Sequence, residues 1–125
     1  MMKRWKPGAW MLLAALAAAG CSGPPRPADP GQARAALRAA LDAWKQGETP
    51  EALKQRRPPV YVHDDDWQAG RRLLDYELAG DEPFGGELRC RATLSLDDGG
   101  RTVTRAAVYG VGVGPTLTVT REEDQ

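Results

Sequence analysis

Histidine and phenylalanine occur once each in this chain of 125 residues, aromatic residues make up 6% of it, and cysteine appears twice. A single imidazole leaves no room for a His-Glu-x-x-His metal site, and Cys21 and Cys90 form no Cys-x-x-Cys pair. No glycine-rich phosphate loop and no Gly-x-Ser-x-Gly elbow occurs, which argues against the common enzyme classes without excluding an unfamiliar one. Charge excess of either sign is also lacking, with 17 basic and 17 acidic side chains. The balance hides an asymmetry: Lys3, Arg4 and Lys6 precede an apolar run, and the chain without residues 1–20 has 14 basic against 17 acidic side chains. A weakly acidic domain lacks the basic stripe that nucleic acid requires. Nor is there a long hydrophobic stretch. The longest, Trp10 to Ala19, is ten residues, about 15 Å as a helix and half of a bilayer core.

What is present begins at that run. A short basic start, ten apolar residues and small residues leading to Cys21 form the three-part layout of a secretory signal. "LAAAGC", Leu16 to Cys21, resembles the lipobox of bacterial lipoproteins. The resemblance implies that residues 1–20 are removed, that Cys21 carries diacylglycerol and an acylated amine, and that a membrane is the first partner. Ala18 stands where a larger aliphatic residue is commonest. Several acyl chains anchor a protein firmly, each buried methylene adding about 0.8 kcal/mol. Ser22, in place of the Asp that marks inner-membrane retention, leans toward the outer membrane. The expected location is the cell envelope, outside the cytoplasm.

Residues 21–31 contain four prolines and follow the cysteine as an extended tether, long enough to lift a domain by about 30 Å. Residues 32–125 then form one small α+β domain. The 90 or so residues after Arg34 bury about 60–65% of their unfolded surface, so modest stability is expected. Asp29 suits a helix N-cap, Pro30 the first helical position and Gln32 the capping-box position. Ala33, Ala36, Leu37, Ala40, Leu41 and Trp44 recur at helical spacing until Gly47. Thr49-Pro50 opens a short helical turn that Pro58 and Pro59 close.

The period then changes to two. Arg71 to Gly80 places Leu74, Tyr76 and Leu78 on one face, and "ELRCRATLSL" places Leu88, Cys90, Ala92, Leu94 and Leu96 inward. "DDGG" is a hairpin signal between that strand and Arg101 to Gly112. "TLTVTRE" supplies the fourth strand, and Gly110 and Gly112 predict a bulge or bend. The expected fold is therefore α+β: an N-terminal helix packed on a curved, mostly antiparallel four-stranded sheet. "AALRAALDAWKQGETPEAL" followed by "DDDWQAGRRLLDYEL" and paired strands resembles small lipoproteins with an NTF2-like or cystatin-like cone.

"VHDDDW", Val62 to Trp67, holds the one segment with chemistry on offer. His63 beside three carboxylates suits a divalent cation in residue type, but neighbours on an extended chain point apart and the EF-hand spacing is missing. A solvated acidic loop in which one Asp caps a turn is the expectation, with no metal, no cofactor and no catalytic residue. The rival enzyme reading uses His63 as general base beside an Asp, as in an isomerase or hydrolase. Trp67 and Gly70 read as a core anchor, and Cys90 as a buried, unreactive thiol. Trp44, Leu74 and Tyr76 are the candidate lining of a pocket between helix and sheet, and with Leu88 they would serve a carrier of a small apolar ligand. The leading expectation is a lipid-anchored, non-enzymatic domain that binds an envelope protein or cell-wall component or serves structurally.

Overall fold

The computed structural model describes residues 28–122, so Cys21 and most of the tether lie outside the described residues. Helix α1 spans Pro30–Lys45, with Asp29 as N-cap accepting from the Gly31 N–H at 3.0 Å. All six residues of the predicted stripe are buried. Thr49 caps a four-residue helix, α2 (Pro50–Leu53). A short strand β1 (Val60–His63) and a second four-residue helix α3 (Asp65–Gln68) follow. The chain ends in strands β2 (Arg72–Phe84), β3 (Glu87–Asp98), β4 (Arg101–Gly112) and β5 (Leu117–Glu122).

Four antiparallel strands were the expectation, and this is corrected: the sheet has five strands in the order β1-β5-β4-β3-β2, and β1 pairs parallel with β5. The predicted NTF2-like or cystatin-like four-stranded cone falls with it. "VYVH" is too short for its alternation to stand out from a loop, and parallel pairing depends on a partner more than fifty residues away. The predicted bulge moves as well. Pairing of β3 with β4 runs unbroken through Gly110 and Gly112, whereas β2 shifts register between Leu73 and Asp75 and again between Leu78 and Asp81. The first shift turns Leu74 outward, 38% exposed, and makes Leu73 the buried residue.

The hairpin signal holds. Gly99 and Gly100, at φ 65° and 89°, form the β3–β4 turn, both needing the positive φ that glycine adopts without strain. The alternation of β3 also holds, and all five predicted inward residues are buried. They face Ala107, Tyr109 and Val111 of β4 and Val119 of β5 in one core with α1.

Helix α1 lies along β2 and runs against it. Arg34 reaches Asp81 at 2.7 Å, Asp42 accepts from the Tyr76 hydroxyl at 2.8 Å, and the Trp44 indole N–H donates to the Arg71 carbonyl at 2.8 Å. The start of α1 thus lies at the β2–β3 hairpin end, and its far end lies about 24 Å away at 1.5 Å per residue.

Candidate functional site

Strands β1 and β2 are opposite edges of the sheet, so the chain from Asp64 to Arg71 must cross under β5, β4 and β3. That crossing carries the acidic segment into the interior, where side chains of β4 and β5 meet it. The expectation of a solvated loop is corrected for two of its three carboxylates: Asp64 is fully buried and Asp66 is 4% exposed. The capping part of the expectation holds. Asp64 Oδ1 accepts from the backbone N–H of Asp66 and Trp67 at 2.9 and 3.3 Å, closing the first turn of α3.

Burying two carboxylates in an apolar core is costly unless charges and donors meet them. Tyr109 donates its hydroxyl to Asp64 Oδ2 at 2.6 Å. Arg121 bridges the pair through Nη1, 3.2 Å from Asp64 and 2.9 Å from Asp66. Arg105 binds both oxygens of Asp66 at 2.8 and 3.0 Å, and Arg71 adds a bond at 3.2 Å. Every carboxylate oxygen of the pair is thereby engaged. Burial alone would push the Arg121 guanidinium toward losing its proton, but the Asp66 hydrogen bond and the charge of Asp64 outweigh it and hold the proton more tightly. Burial, followed by the charge and hydrogen bond of Asp64, pushes the Tyr109 hydroxyl far above its ordinary range.

His63 and Asp65 point the other way. Their side chains are 64% and 77% exposed, with 3.8 Å between them, and no metal-ligating cluster forms among the described residues.

On the other side of Arg71 lies a cleft of about 400 Å³, lined by Trp44, Trp67, Glu51, Arg71 and Arg72 among others. Its size and mixed apolar and polar wall are those of a small-ligand site. Trp44 and Trp67 stack with centroids 5.2 Å apart and planes 6° from parallel, a contact adding about 0.5–1.5 kcal/mol beyond area burial. Their N–H groups are already used, Trp67 donating to the Glu48 carbonyl at 3.0 Å. The rings form a fixed wall rather than adaptable hydrogen-bond donors.

The three residues named for a pocket from sequence do not share it. Trp44 lines the cleft; Tyr76, bonded to Asp42, lines a separate polar depression with Arg38 and Lys45. Leu74 stands exposed at the β2 shift, and Leu88 is sealed in the core. Leu37, Leu41, Leu94 and Tyr109 fill the space between helix and sheet. Cys90 is buried, and that burial, followed by the charge of Asp81, raises its thiol pKa.

Sequence reasoning missed Arg71, Arg105, Arg121 and Tyr109. A signal existed for two of them: Arg105 and Arg121 occupy inward positions of alternating strands, where a charge needs a buried partner. No family model matches the chain, and no curated protein or solved structure matches it.

Proposed function

We propose that the protein is a bacterial envelope lipoprotein, anchored through lipid on Cys21, whose domain binds a partner and does not turn over a substrate. The carrying observation is the saturated state of the buried charges. Asp64 and Asp66, the only buried carboxylates among the described residues, have every oxygen committed to a donor, so neither is free to take a proton from a substrate. The cleft beside them offers a shaped surface whose one unpaired carboxylate among the described residues, Glu51, is exposed to solvent.

The anchor half of the reading rests on the sequence alone. Cys21 follows the apolar run, and the first described residue, Ala28, comes seven positions later, immediately before the helix cap. Ser22, in place of the Asp that marks inner-membrane retention, favours the outer membrane. Labelling with radioactive palmitate tests it: the full chain is expected to take up label and sediment with membranes. A Cys21→Ser chain is expected to remain an unlabelled precursor of full length, and a mutant that still matures and labels would overturn the anchor.

A further inference from the structure

We infer that the Trp44/Trp67 cleft takes the C-terminal end of a short peptide, its free carboxylate received by Arg71 and Arg72. This rests on the binding-module reading above and names the chemistry of its ligand.

Arg71 is the starting point. Its Nη1 is spent on Asp66. Its Nε is the one buried side-chain nitrogen or oxygen among the described residues without a hydrogen-bond partner. A buried donor left unpaired costs about 1–3 kcal/mol, and the fork of an arginine matches the two oxygens of a carboxylate. Asp98 Oδ1 stands 3.6 Å from it, on a side chain 49% exposed, too far for a hydrogen bond and close enough to compete with a ligand. Arg72, the next residue, is exposed on the same cleft and has no ion-pair partner among the described residues.

The remaining wall completes the match. The edges of two stacked indoles offer an apolar surface for a side chain. Glu51 lines the same cleft without an ion-pair partner among the described residues, while Glu48 is taken by Arg56 at 3.1 Å. A carboxylate, an apolar side chain and an N–H for Glu51 to accept are what the last residue of a peptide presents together. A phosphate or a sugar lacks at least one of the three. The cleft sits at the Trp44 end of α1, opposite the Asp29 end.

The test uses the full chain in detergent with Trp5→Phe and Trp10→Phe, leaving Trp44 and Trp67 as the only indoles. Acetyl-Ala-Phe, as acid or as C-terminal amide, is titrated while indole emission is read. The acid is expected to give a saturable change, with affinity about tenfold above that of the amide, as a charge-assisted bidentate contact requires. Arg71→Gln, checked for folding by circular dichroism, should abolish the preference for the acid. Asp98→Asn, at an exposed position where folding is not at risk, should tighten binding by removing the competitor. The L,L and D,D forms separate the two sources of such a terminus, a protein tail and a wall stem peptide, by which binds more tightly. Equal response to acid and amide, no saturable response, or no effect of Asp98→Asn would overturn the inference. Palmitate labelling of Cys21 reads the anchor independently, so either reading can fail without the other.

Discussion

Asp64 caps α3, accepts the Tyr109 hydroxyl and pairs with Arg121, so one side chain ties the crossing segment to two strands. Removing one member of such a buried set leaves the others charged or polar without a partner. Asp64→Ala is expected to cost about 3–5 kcal/mol, read as a fall in the urea midpoint with little change in slope. Tyr109→Phe removes one donor and leaves Asp64 Oδ2 short, and about 1–3 kcal/mol is expected by the same measurement. Tyr76 gives a pH signature at the other end of the scale. Burial first, then the Asp42 hydrogen bond, pushes its hydroxyl up to about 12 from an ordinary value of 10.0. A group whose pKa is raised on folding contributes stability that is complete below the unfolded value and is lost as pH rises through the folded one. Stability should therefore decline from pH 10.0 to about 12, and Tyr76→Phe should flatten that decline; an identical decline in the variant would count against the Asp42 contact. Tyr109, also raised, keeps part of the slope.

At the scale of elements, propensity and pattern agree where the element is long and its register unbroken, as in α1 and β3. The α1 stripe, the β3 alternation and the two-glycine turn each follow from local chemistry and were legible. Asp29→Ala should cost about 1 kcal/mol through the lost cap, seen as a lower Tm. The elements that escaped are short or shifted. Four residues of β1 carry too little periodicity, and the β2 register shift sends Leu74 outward although its local pattern points in. The glycines of β4 show the same divide. Gly112 reads as a bend in sequence, but in the sheet it permits a close approach: a Cβ there would stand 2.5 Å from Thr118 Oγ1. Gly112→Val should destabilise by about 1–3 kcal/mol through overpacking, and Thr118→Ala in the same chain should recover part of the loss. A Gly112→Val protein as stable as the parent would show that β5 can move aside.

Across the whole molecule, the described chain enters at one end of α1 and the cleft lies at the other. A chain beginning at Ala28 should keep the Tm of the full protein, since the described core begins with that residue, and should no longer sediment with membranes. The α1 stripe, the β3 alternation and the two-glycine turn are properties of neighbouring residues, and the sequence by itself determined them. The candidate site was legible only in part, as Trp44 and an acidic segment with one capping Asp. Tertiary structure decided the rest. Once β1 pairs with β5 at one edge while β2 forms the other, residues 64–71 must pass beneath the sheet. Two carboxylates then leave water and gather Arg71, Arg105, Arg121 and Tyr109 from positions up to 57 residues away. Local pattern reports which face a side chain takes; which charges share that face depends on the path of the whole chain.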